Sequence, residues 1–144
     1  MTQQKAIPAP FTKGINFTNW LEYKRADLID PDYYTKQDFL NAKKLGCDCI
    51  RLPIHFEEIC EGIADYTIPD NIFAIMDKVA AWAEELELYV IFDFHNATHA
   101  ESQTSADVEN LLTPLWTQIA SRYKDASKYL IYELMNEPHG IEVL

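Results

Sequence analysis

In Leu88-Tyr89-Val90-Ile91-Phe92-Asp93-Phe94-His95-Asn96 a nearly continuous apolar run turns polar at its end. A run of this kind suits a strand of a parallel sheet that is covered on both faces. Upstream, Asp70 to Glu87 sets Ile72, Ile75, Met76, Val79, Ala83 and Leu86 on one stripe of helical period, with Asp70 placed to cap its start. Downstream, Ser105 to Tyr123 repeats the helical pattern through Val108, Leu111, Leu112, Leu115 and Ile119, and Pro114 inside it predicts a kink or a division. The stretch is therefore a strand between two helices.

The same alternation extends outward. Gly14-Ile15-Asn16-Phe17 reads as a short first strand, Thr35 to Leu45 as a helix stopped by Gly46, Cys49 to Ile54 as a second strand that Pro53 sees leaving the sheet, and Tyr129 to Leu134 as a fourth strand. Four strands about 40 residues apart, the first three each followed by a helix, predict an α/β fold of the TIM (β/α)8 barrel kind. A full barrel needs roughly twice this length or slightly more, so the 144 residues carry about the first four βα units, a half-barrel. Residues 1–13, with Pro8 and Pro10, read as a lead-in segment, and 14–144 as the N-terminal half of the barrel domain.

With 48% hydrophobic residues and a net charge of -11, the chain suits a soluble domain whose field repels nucleic acid and anionic membrane surfaces. A neutral ligand such as a sugar feels no such repulsion. Cys47, Cys49 and Cys60 form no paired motif, and read as structural thiols. The polar start Met1-Thr2-Gln3-Gln4-Lys5 has no apolar signal core, and no run of about 18 apolar residues occurs. The compartment is unreadable, and a secreted parent protein is compatible with this.

Barrel enzymes carry their chemistry at the C-terminal ends of strands. Here those ends supply Asn16 and Asn19, then Arg51 and His55, then Asp93, His95 and Asn96, then Asn136, Glu137 and His139. Ordinary turns favour Gly, Ser and Pro instead, so four polar strand ends together indicate a site. Taken singly, Arg51 reads equally well as paired with a core carboxylate, and His95 as a satisfied core histidine.

The strings Ile50-Arg51-Leu52-Pro53-Ile54, Asp93-Phe94-His95-Asn96 and Tyr132-Glu133-Leu134-Met135-Asn136-Glu137-Pro138-His139-Gly140, in this order, resemble glycoside hydrolase family 5, the cellulase family. The resemblance covers nearly the whole chain from Gly14 onward. It implies a (β/α)8 barrel that needs no cofactor, with Glu137 as the catalytic acid/base and Asn136 on the 2-hydroxyl of the sugar before the cleaved bond. By the same resemblance Arg51 orients the nucleophile, and His95 lines that subsite. Many members carry a histidine where Asn96 stands. The family's nucleophile is a glutamate at the end of strand seven, outside this chain.

The chemistry of a glycosidic bond agrees with this. A retaining enzyme needs one carboxylic acid to protonate the leaving oxygen and one carboxylate, about 5 to 5.5 Å away, to attack the anomeric carbon. Glu142 follows Glu137 too closely in sequence to serve as the second. Sugar faces stack on aromatic rings, and Trp20, in a polar loop after the first strand, is favoured as a platform over a core ring; Trp82 and Trp116, both on helices, read as packing. Asp93 reads as support for a neighbouring loop or for Arg51. The spacing of His55, His95, His99 and His139 with Asp93 has no metal-binding pattern, so no metal is expected.

These readings converge on a retaining hydrolase of β-1,4-glucan whose lone half is inactive. Asn16, His95, Asn96, Arg51, Asn136 and Trp20 would bind the polysaccharide. A relative acting on mannan, mixed-linkage glucan or β-1,3-glucan is the alternative within enzymes. Outside them stands a non-catalytic half-barrel that binds glycans, self-associates or meets a complementing C-terminal half.

Overall fold

The computed structural model describes residues 8–22, 24–95, 103–138 and 141–142. Its centre is a sheet of four parallel strands in the order β1 (Gly14–Asn16), β2 (Cys49–Ile54), β3 (Tyr89–Phe94) and β5 (Leu130–Glu133). Three helices connect them: α1 (Lys36–Lys44), α3 (Asp70–Leu86) and α4 (Ser105–Tyr123), with a single turn, α2 (Phe56–Ile59), directly after β2. A two-residue strand, β4 (Gln103–Thr104), pairs in parallel with β6 (Ile141–Glu142).

Period-two alternation gives the sheet two different faces. Ile50, Leu52 and Ile54 of β2 and Val90, Phe92 and Phe94 of β3 are fully buried in one cluster with Phe39 of α1, Ile72, Ile75, Met76 and Val79 of α3, and Leu111, Leu115 and Ile119 of α4. The opposite face carries Arg51, Ile91, Asp93, Ile131 and Glu133. Residues matched in register, Pro53 with Asp93 and Asp93 with Glu133, bring the polar members of that face together near the strand ends.

The helix boundaries follow local chemistry. Thr35 N–H donates to Asp38 Oδ2 at 2.8 Å at the start of α1, and Gly46 beyond its end adopts φ +88°, which glycine reaches without steric cost. Thr104 and Asp107 make the equivalent reciprocal pair at the start of α4. Asp70 does not cap α3: it is the first helical residue, and Pro69 holds the cap position with the fixed φ that suits a helix start. The helix α4 runs through Pro114 undivided.

Pro53 lies near the end of β2, as expected, although the strand lies between two neighbours. The odd-numbered residues of β2 direct their backbone groups towards β1, as Cys49 N–H to Lys13 O and Phe17 N–H to Arg51 O show. Since β1 ends at Asn16, opposite Arg51, Pro53 lies beyond its ladder and its missing donor interrupts no bond.

Among the described residues no helix is long and apolar enough to cross a membrane. The outer strands β1 and β5 each have one edge unpaired in this sheet. Ile15, Tyr132 and Leu134, on or next to those strands, are exposed apolar side chains.

Candidate active site

Three strands, β2, β3 and β5, build the cluster, and Arg51 sits at its centre. Its Nε donates to Glu133 Oε2 at 2.7 Å and its Nη2 to Glu133 Oε1 at 2.9 Å, a fork that spans from β2 over β3 to β5. The same Nη2 lies 2.9 Å from Asn136 Oδ1 and 2.8 Å from Asp93 Oδ2. Glu133's hydrogen bond, opposed by burial and helped by Asp93, raises Arg51 above its ordinary range, so the guanidinium is a fixed positive charge.

Asp93 is completely buried on β3. Burial pushes its carboxyl up from the usual range, while hydrogen bonding from His95 and the charge of Arg51 pull it back down. His95 follows the strand: its backbone N–H donates to Ile54 O at 2.9 Å, and its ring Nδ1 lies 2.7 Å from Asp93 Oδ2. The side chain is 23% exposed, about a quarter of its surface.

Asn136 is held from two sides. Its N–H donates to Phe94 O at 2.9 Å, and its Oδ1 accepts from Arg51, which leaves the amide Nδ2 as the donor end of the side chain. Glu137 follows on an exposed turn with φ +43°, a left-handed backbone that a non-glycine residue adopts at a cost. Such strain is characteristic of functional positions.

The sequence expectations fare differently from residue to residue. Arg51, His95 and Asn136 come together in one hydrogen-bonded cluster, and Glu137 adjoins it in the chain. Asn16 is exposed on β1, in register with Arg51, and lines a shallow hollow with Phe11, Ile15, Cys49, Arg51 and Ile91. Asn96, His99 and His139 lie outside the described residues.

Trp20 corrects its expectation. Only 1% exposed, it donates Nε1–H to Asp30 O at 2.8 Å and packs edge-on against Tyr34. No open ring face remains for a sugar, because the loop composition that suggested exposure belongs to its neighbours, not to the ring. His55, at the end of β2, is buried and has Glu58 Oε2 3.1 Å from its Nδ1.

Glu133 is the site residue that sequence reasoning passed over. The register of β2, β3 and β5 puts Glu133 on the sheet face of Arg51 and Asp93, where an unpaired carboxylate would be costly. Among the described residues no three of His, Cys, Asp and Glu gather in a way that would hold a metal ion.

A parallel βα sheet whose polar cluster lies at the carboxyl ends of its strands has the architecture of a (β/α)8 barrel with its site at the C-terminal rim. The chain belongs to the family described as cellulase, glycosyl hydrolase family 5, whose model matches residues 11–143. It is 33% identical over 103 residues to endoglucanase B of Clostridium cellulovorans, covering 69% of this chain and 23% of that protein. Endoglucanase 3 of Fibrobacter succinogenes is 26% identical over 154 residues, 94% of this chain and 22% of that one.

Among solved structures, cellulose synthase subunit Z of Clostridioides difficile matches with a TM-score of 0.74 at 29% identity, over 89% of this chain and 42% of its own. Thermotoga maritima Cel5A, solved with cellobiose, matches with a TM-score of 0.74 at 28% identity, over 90% and 44%. The chain thus spans under half the length of these relatives, and the half-barrel reading agrees with that coverage.

Proposed function

We propose that residues 14–138 supply the acid/base half of a retaining glycosidase site acting on β-1,4-glucan. The observation that carries this reading is the cluster in which Arg51 joins Glu133, Asp93 and Asn136, one residue before Glu137. In it Glu137 protonates the leaving oxygen and later activates water. Asn136 offers its amide N–H to the 2-hydroxyl, and His95 borders the same sugar.

The nucleophile carboxylate comes from polypeptide outside the 144 residues, and Arg51 helps to keep it ionised. Support for a cello-oligosaccharide ligand comes from relatives named endoglucanases and from matched structures described with cellobiose and cellotriose. The polypeptide that completes the barrel packs on β1 and β5, where Ile15, Tyr132 and Leu134 are exposed.

The test is Glu137→Gln in a barrel completed by four further βα units. Hydrolysis of unactivated β-glucan should fall by roughly 100- to 10,000-fold, the usual contribution of general acid catalysis, while aryl glycosides with acidic phenols keep most of their first step. Proton NMR of the earliest products should show the β-anomer. Equal losses on both substrates, or an initial α-anomer, would remove the acid/base assignment or the retaining mechanism respectively.

A further inference from the structure

Asp93 is a carboxylate in a position where a hydrophobic side chain would be cheaper to bury. Its hydrogen bonding is one-sided. Oδ2 meets both His95 Nδ1 at 2.7 Å and Arg51 Nη2 at 2.8 Å, whereas Oδ1 is buried and has no hydrogen-bond partner among the described residues. A group serving only to balance charge on Arg51 would gain most by offering both oxygens, as Glu133 does.

We propose that Asp93 is a positioning residue that fixes the tautomer of His95, placing the proton on Nδ1 so that Nε2 faces the cleft as a hydrogen-bond acceptor for a sugar hydroxyl. Arg51 can only donate, so Oδ2 remains an acceptor towards the imidazole. This holds for either protonation state of Asp93, because a proton taken up by the carboxyl goes to Oδ1, away from the Arg51 positive charge. With Oδ2 accepting, Nδ1 must be the donor, and the neutral ring then carries its lone pair on Nε2. The backbone bond from His95 N–H to Ile54 O holds the ring's attachment point to β2, so Asp93 has only the ring's rotation and proton to set.

A hydroxyl approaching Nε2 must donate, which fixes the direction of its O–H bond. That freezes one rotor of the sugar before reaction, a positioning effect of the kind an aspartate gives a histidine in hydrolase triads. The inference deepens the reading of His95 as a sugar-facing residue and rests on it.

Long-range proton–nitrogen correlation spectra of the 15N-histidine-labelled chain, at mildly alkaline pH and with His95 assigned by loss of its signals in His95→Gln, test this directly. The unaltered chain should show Nδ1 as the protonated nitrogen and Nε2 as the bare one; an Nε2–H tautomer overturns the proposal without any variant having to fold. Asp93→Ala should shift the population towards Nε2–H, while Glu133→Gln, which keeps the Asp93 carboxyl beside the ring, should leave Nδ1–H in place. Equal tautomers in the unaltered chain and in a folded Asp93→Ala also overturn it. Added cellotriose should move the Nε2 resonance more than Nδ1. If the tautomer is as stated and cellotriose moves neither nitrogen, positioning by Asp93 stands and the sugar-facing reading of His95 falls.

Discussion

Arg51 on β2 reaches over β3 to hold Glu133 on β5 through two hydrogen bonds of 2.7 and 2.9 Å. These strands are not neighbours in the sheet, so the fork acts as a strut that ties three strands at the end where the site lies. Asp93, on the strand between, touches the same guanidinium at 2.8 Å. The arrangement places one positive charge between two carboxylates and leaves Asn136 anchored by its oxygen.

Arg51→Lys should be poorly tolerated although it keeps the charge. A lysine ammonium cannot reproduce the planar fork to Glu133 and reach Asn136 together. Urea unfolding at neutral pH should show a loss of about 2 kcal/mol, within the range for hydrogen bonds to charged groups. The double variant with Glu133→Gln should lose less than the sum of the two single changes. Strict additivity would show that the strut is not a coupled unit.

Trp20 is predicted to govern stability and not sugar affinity. Trp20→Ala should cost about 3 to 5 kcal/mol as a large core truncation. Trp20→Phe keeps most of the ring but leaves Asp30 O without its donor, a loss of about 1 to 2 kcal/mol. Urea denaturation alongside cello-oligosaccharide titration separates the roles. A folded Trp20→Phe of unchanged stability with weakened sugar binding would restore the platform reading.

The strand and helix order was legible because buried apolar runs and helical stripes are long-range regularities of the sequence. Tyr89–Phe94 and Ser105–Tyr123 show this, and three of the polar residues expected at strand ends, Arg51, His95 and Asn136, lie in one hydrogen-bonded cluster. The fate of Trp20 was not legible, since its burial depends on Tyr34 and Asp30 folding back over it. The part played by Glu133 was hidden for a related reason. Only the register of β2, β3 and β5 shows that a carboxylate in the middle of an apolar string faces Arg51.

The pH dependence of stability should have two limbs of opposite sign. Hydrogen bonds from Arg122 hold Asp77 below its ordinary value of 3.8, so its contribution is present above that value and is lost as pH falls through its lower folded value. Backbone hydrogen bonds lower Asp38, Asp48 and Asp107 in the same direction. Asp93 runs the other way: burial raises it, so its contribution is full below 3.8 and declines as pH rises through its folded value. Stability measured by urea at a series of pH values should fall steeply below about pH 4, the ordinary carboxylate range. Asp77→Asn should flatten that acid limb; an unchanged slope would show that the Asp77–Arg122 pair contributes nothing to it.

Glu137 is expected to trade stability for position. At φ +43° a side chain is strained and glycine is not. Glu137→Gly should therefore unfold at higher urea than Glu137→Ala, by about 1 kcal/mol, the usual difference for a left-handed site. If alanine is as stable as glycine there, the turn carries no strain.

The isolated 144-residue chain should be inert on soluble glucan and should associate. A retaining mechanism needs a second carboxylate across the cleft from Glu137, and the carboxylates of the cluster, Glu133 and Asp93, are both engaged by Arg51. Among the described residues the sheet meanwhile ends at β1 and β5 with no further strand on their outer edges, next to exposed Ile15, Tyr132 and Leu134. Unpaired strand edges beside apolar side chains favour pairing with further polypeptide. Two copies meeting edge to edge would give an eight-stranded sheet related by a two-fold axis. Light scattering should give a mass above the 16.7 kDa of one chain, and Tyr132→Glu with Leu134→Lys should return it to the monomer. A well-folded monomer that turns over a soluble glucan would show that the open edges need no cover and that Glu137 works without a carboxylate from outside.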